Sequence, residues 1–225
     1  MGKLIVIEGV DASGKQTQTE LLYQRLPKAK RVSFPDYQSQ SSALVKMYLN
    51  GEFGTHADDV SPEVASVFFA CDRYASYKQK WGNYYQNGGI ILADRYVTSN
   101  LIHQTCKIQE EDYRQQFICW LEEFEYGLMK LPKPDLVVFL DMPPEYAAQL
   151  MANRSNKITG EEQKDIHEKD SGYMRRAYDN AVAVAEQMGW KRLVCAENGV
   201  IKTPEEISQE VWNLVAELLN GDEMC

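Results

Sequence analysis

The stretch from Lys3 to Leu26, KLIVIEGVDASGKQTQTELLYQRL, constrains this chain more than any other. Leu4 to Ile7 is a short apolar run rich in β-branched residues and reads as a buried strand. Gly9 to Gly14 then encloses a polar turn, VDAS, containing Asp11, Ala12 and Ser13. Lys15 follows, and Thr17 to Leu26 reads as a helix with Leu21, Leu22 and Leu26 on one stripe. Glycines accept backbone angles that other residues resist, so successive amides can turn inward around an anion. The helix beginning near Lys15 aims unpaired N–H groups at the same point, and Lys15 can reach the terminal phosphates of a nucleotide. Strand, glycine loop, lysine and helix together are the context of a phosphate-binding loop. The residue after that lysine is usually Ser or Thr, whose hydroxyl touches Mg²⁺. Here it is Gln16, with Thr17 one position late. Mg²⁺ is therefore expected to be held mainly by phosphates, waters and a carboxylate, with Gln16 as a weak ligand.

The 225 residues suit one α/β domain, residues 1–225, carrying a short lid. With 24 basic and 33 acidic residues the net charge is -9, which argues against a broad nucleic-acid surface but leaves room for a locally basic pocket. The five cysteines lack metal-site spacing, and an odd count points to a reducing compartment. The chain enters a strand almost at once, without a signal-peptide pattern or a run long enough to span a membrane. These features predict a soluble cytoplasmic protein with small-molecule partners.

Further along, KRVSF (Lys30 to Phe34) reads as a second strand ended by Pro35. A short helix is predicted over Ser42 to Leu49, and another opens at Pro62, capped by Ser61, and runs to about Lys80. Phe69 and Arg73 lie four apart on its face, so they can stack a base and hold an anion. Ile90 to Ala93 is a third strand ending in Asp94-Arg95-Tyr96. Charged residues just past a buried strand are costly unless used or paired. Arg95 is placed to neutralise phosphate oxygens, and Asp94 to orient Mg²⁺, an arginine or the attacking oxygen.

SNLIHQT, from Ser99, begins a helix. Ile108 to Met129 is helical, with Phe117, Leu121, Phe124 and Leu128 expected in the core. Leu136 to Leu140 and Lys191 to Cys195 are the remaining strands, and Glu145 to Arg154, Gly172 to Met188 and Pro204 to Leu219 the remaining helices. The segment Arg154 to Asp170 is strongly charged with almost no apolar spacing, which predicts a mobile lid whose Arg154, Lys157, Lys164 and Lys169 can cover phosphates.

A phosphate loop serves many activities. The guanine-reading NKxD of a GTPase is absent from the sequence. A second candidate anion site at Arg73 and Arg95, facing the loop, suits transfer from a nucleotide to a small phosphorylated acceptor, where chemistry is mostly positioning and charge neutralisation. A deoxynucleoside kinase, a kinase of another nucleoside monophosphate, and a non-catalytic nucleotide-binding switch remain open alternatives.

IEGVDASGKQTQ (Ile7 to Gln18), Phe34-Pro35, FFACDRY (Phe68 to Tyr74), DRYVTSNLIHQ (Asp94 to Gln104) and PKPDLVVFLDMPPE (Pro132 to Glu145), in that order, resemble the thymidylate kinase family over nearly the whole chain. The resemblance implies a three-layer fold with a five-stranded parallel sheet between helices, transfer of the γ-phosphate of ATP to thymidine monophosphate with Mg²⁺, and a homodimer. It also assigns roles. Gly9, Gly14 and Lys15 grip donor phosphates. Asp11 approaches the acceptor ribose, and Phe34-Pro35 contacts the acceptor. Phe69 stacks on the base, and Arg73 reads a base carbonyl. Asp94 and Arg95 act at the transfer site. Ser99, Asn100, His103 and Gln104 line the nucleoside pocket. Ala12 stands where one branch of the family carries a catalytic arginine, which shifts that duty to lid residues such as Arg154 and Lys157. His103 replaces a frequent tyrosine, and Ile166 a frequent lid arginine beside Glu168.

Overall fold

The computed structural model describes residues 1–155 and 171–221. At its centre is a parallel five-stranded sheet in the order β2 (Lys30–Ser33), β3 (Ile90–Asp94), β1 (Lys3–Glu8), β4 (Leu136–Asp141), β5 (Lys191–Val194). β1 is central and pairs with β3 on one side and β4 on the other. Its side chains alternate between two cores. Leu4 and Val6 pack with Tyr77, Trp81, Leu101 and Leu121, whereas Ile5 and Ile7 pack with Leu22, Ile207 and Val211. A strand covered on both faces reads as an unbroken apolar run, which is why KLIVIE shows no polar alternation.

One layer is formed by α1 (Lys15–Arg25) against α9 (Pro204–Gly221). The other contains α3 (Pro62–Ser76), α5 (Val97–His103), α6 (Glu111–Glu122) and α8 (Ser171–Gln187). α2 (Ala43–Leu49) packs on α3, α4 (Gly82–Gln86) on β3, and α7 (Pro144–Ser155) on α8. Because β1 has successors on both sides, the loop after it opens at the sheet's switch point, where such folds bind ligands. The register sets Asp94 opposite Ile7 at that edge.

Several expected boundaries move. The helix from Pro62 ends at Ser76, continues as a π-turn over Tyr77–Trp81, and resumes as α4. The helix expected from Ile108 starts at Glu111 and changes to a π-turn over Glu123–Leu128. That wider turn rotates later side chains off the α-helical phase. Phe117 and Leu121 are buried as expected, but Leu128 is 73% exposed and Glu125 is buried in its place. A small antiparallel hairpin, β6 (Ala196–Glu197) with β7 (Val200–Ile201), was not legible as strand, being only two residues on each side. Arg154 falls in the last turn of α7, and Lys157, Lys164, Ile166, Glu168 and Lys169, with the rest of the predicted lid, lie outside the described residues. Among the described residues, no helix is long and apolar enough to cross a membrane.

Candidate active site

The loop closes tightly after β1. A Cβ on Gly9 would strike Ser13 Oγ and come within 3.0 Å of the Leu140 carbonyl, so only glycine lets the chain curl against β4. Gly14 takes φ +90° and Ala12 φ +59°. α1 then starts at Lys15 with no side-chain cap on its first turn, leaving amides turned toward the loop for an anion. Lys15 is buried, and its Nζ donates to the Val10 carbonyl at 2.7 Å. Burial, then the charge of Arg95, lowers its ammonium to about 8, against the pull of Asp11, Asp94 and Glu8. Burial raises the Asp94 carboxyl despite Lys15 and Arg95.

Arg95 follows directly, held at φ +66°. Its Nη2 donates to Asp11 Oδ1, and its Nη1 lies 3.3 Å from Ser99 Oγ, 3.1 Å from His103 Nε2 and 3.7 Å from Glu8 Oε1. Arginine only donates, so His103 Nε2 accepts and Nδ1 carries the hydrogen toward the Tyr173 hydroxyl, 3.2 Å away. The Tyr173 hydroxyl in turn donates to the His103 carbonyl at 3.1 Å. Glu8, fully buried, accepts from Thr98 and Ser99 hydroxyls at 2.7 and 2.8 Å. These contacts hold an otherwise strained backbone.

Every residue expected at the acceptor lines one cleft. Phe34 and Pro35, joined by a cis peptide bond, and half-buried Phe69 form apolar walls. Asp11, Arg95, Ser99 and His103 line the cleft together with Arg73, Asn100 and Gln104. Gln104 is fully buried, with neither amide atom hydrogen-bonded. A second cleft holds Ala12, Gly14, Lys15, Gln16 and Asp94, and shares Asp11, Arg95, Phe34 and Pro35 with the first. On the far side of the loop, Ser13 and Thr17 line a third cleft with Gln18, Met142, Ile201 and Pro204.

The expected pair of anion-binding arginines divides. Arg95 faces the phosphate loop. Arg73 is instead buried, with Nε and Nη2 donating to Glu125 at 2.7 and 2.5 Å, so its charge is already matched. Glu125 gave no sequence signal, because an acid among helical residues reads as a solvated position until its buried partner is known. Glu8 and Tyr173 were likewise not singled out.

Among the described residues, no three His, Cys, Asp or Glu side chains are grouped to hold a metal. Asp94 and Gln16 do line the same cleft as Lys15. One carboxylate with substrate phosphates is the usual protein share of a kinase magnesium site, so these residues fit that ion.

A glycine cradle at the switch point of a parallel sheet, sharing Asp11 and Arg95 with a cleft walled by Phe34, Pro35 and Phe69, defines a P-loop nucleotide kinase. The family model for thymidylate kinase matches residues 7–207. The thymidylate kinase of Mycobacterium tuberculosis strain H37Rv is 30% identical over 192 residues, covering 83% of this chain and 87% of that protein. A probable thymidylate kinase of Pyrobaculum aerophilum is 25% identical, covering 94% and 95%. A solved thymidylate kinase from Candida albicans has the same fold, with a TM-score of 0.73 at 24% identity over 97% of this chain and 93% of that one. The chain belongs to the thymidylate kinase family, and its activity is phosphoryl transfer.

Proposed function

We propose that this chain transfers the γ-phosphoryl group of ATP to thymidine monophosphate, giving thymidine diphosphate and ADP. The observation that carries this reading is the junction of the two clefts at Asp11 and Arg95. In this reading the loop amides, Gly9, Gly14 and Lys15 grip the donor's phosphates, Ser13, Thr17 and the third cleft take its base side, and Phe69 and Arg73 take the acceptor base. Arg95 exchanges Asp11 for phosphate oxygens, while Asp11 turns to the acceptor sugar. The acceptor phosphate already carries its nucleophilic oxygen, so what it needs is cations that offset repulsion between two anions. Asp94, with Gln16 as a weak ligand, would hold Mg²⁺, which when bound neutralises charge on the donor phosphates.

Arg154 and Lys157 supply further donor-side cations from the lid, since Ala12 has no charge to offer. The single domain works as a homodimer in the cytoplasm. The Phe117 to Met129 segment is one candidate for the dimer surface.

Coupled ADP release with Mg·ATP and a panel of nucleoside monophosphates, each compared with its free nucleoside, tests the assignment. Fastest release with thymidine monophosphate is expected. Release with thymidine alone would reassign the chain as a nucleoside kinase. ATP binding with no acceptor-dependent release would make it a nucleotide-binding switch.

A further inference from the structure

Arg73 and Asn100 share one buried partner that the proposed chemistry leaves unused. Glu125 is fully inaccessible to solvent. Its Oε2 accepts from Arg73 Nε at 2.7 Å, and its Oε1 accepts from Arg73 Nη2 at 2.5 Å and from Asn100 Nδ2 at 3.0 Å. Asn100 Nδ2 also donates to the Ser66 carbonyl at 3.3 Å, and Arg73 Nη1 to the Tyr96 carbonyl at 3.4 Å. Glu125 lies four residues after buried Leu121, on the same helical face, and the π-turn over Glu123–Leu128 turns Leu128 out instead.

These contacts have two consequences. Both amide hydrogens of Asn100 are spent on acceptors, so Oδ1 is the atom it keeps for a ligand. The carboxylate also cancels the guanidinium charge. Arg73 therefore meets a ligand as a neutralised hydrogen-bond donor, and a phosphate is better matched at the Arg95 end.

We propose that Glu125 is a positioning residue that sets base selectivity in the acceptor cleft. It fixes the position of Arg73, always a donor, and keeps Asn100 Oδ1 as the acceptor, the pattern that fits a pyrimidine with a carbonyl at position 4 and N–H at position 3. This rests on the reading of that cleft as the acceptor site. An amino-pyrimidine such as cytosine turns a donor and an acceptor the wrong way at both atoms, and buried polar groups left unmatched discriminate strongly.

Deoxyuridine and deoxycytidine monophosphates differ only along this edge, so their dissociation constants are measured by calorimetry without donor nucleotide. Wild type is expected to prefer the uracil nucleotide by ~10-fold or more, and E125Q by less than ~3-fold, because a Gln amide can donate to Asn100 and let it turn over. E125D, still acceptor-only, keeps the preference. An unchanged preference in folded E125Q overturns the proposal, as does a wild type that binds both equally. Should E125Q not fold, R73M/E125M replaces the buried pair by apolar groups of similar length. It is compared with R73M, which leaves Glu125 on Asn100: a smaller preference in the double variant supports the proposal, and an equal preference in the two overturns it. Wild-type turnover of thymidine monophosphate is scored separately. Its absence beside intact discrimination would remove the acceptor reaction and leave the role of Glu125 standing.

Discussion

Lys15 donates its ammonium to the Val10 carbonyl at 2.7 Å, turned back onto the loop that it is placed to serve. With burial and Arg95 lowering it to about 8, the ligand-free site holds this lysine only partly charged in mildly alkaline solution. Donor phosphates favour the charged form. Binding of ATP at mildly alkaline pH should therefore be accompanied by proton uptake, seen as a dependence of the calorimetric enthalpy on the buffer's ionisation heat. No buffer dependence would mean that Lys15 is already charged. The stability consequence has the opposite sense from a salt-bridged lysine. The folded value lies below the unfolded 10.5, so the unfolded chain binds more protons between about 8 and 10.5, and this group's contribution to stability rises with pH there.

Arg95 and Lys15 both flank the junction of the two clefts. K15A and R95A, made separately, are each expected to lower kcat by ~10²-fold or more, as loss of a charge that stabilises the transferring group does. Steady-state kinetics decide this, and near-normal kcat in both variants would remove them from the transfer step.

Phe69 packs edge-on to Tyr48 with ring centroids 6.2 Å apart while lining the acceptor cleft. A stacked aromatic contact is worth ~1 kcal/mol, so F69A should raise the acceptor KM by roughly 5-fold or more with kcat little changed. A lower melting temperature with unchanged KM would show that Phe69 only packs the helix.

Leu121 and Leu128 share an α-helical stripe but differ in exposure, fully buried against 73%. Leu121→Ala should cost about 2–5 kcal/mol in chemical denaturation, and Leu128→Ala within about 0.5 kcal/mol. Equal costs would mean that the turn after Glu122 stays α-helical.

Neutralising Arg154, Lys157 and Lys164 together should reduce turnover by ~10-fold or more while leaving acceptor affinity intact, if the lid replaces a charge absent at Ala12. Rapid-mix single-turnover kinetics would measure it, and unchanged rates would return the whole duty to Lys15 and Arg95.

Much of this architecture could be read in advance because its signals are local. The unbroken apolar run of β1, the glycines at 9 and 14, and the charges after β3 each express a backbone or burial requirement within a few residues. The clustering of Phe34, Phe69, Ser99, Asn100 and His103 in one cleft came from the ordered motifs. Leu128 and Glu125 could not be assigned that way. A π-turn shifts Leu128 out of phase through packing, and an acid four residues after Leu121 carries no sign of the arginine that it pairs with.

What the chain alone determined is a cradle for phosphate at the end of a central strand, since amide geometry and strand burial are written into adjacent residues. What the tertiary structure decided is the pairing of charges around that cradle. Arg95 meets Asp11 across 84 positions, and Arg73 meets Glu125 across 52. Such partners are chosen by how layers pack over the sheet, and the energy of a buried charge depends on the partner that packing brings to it.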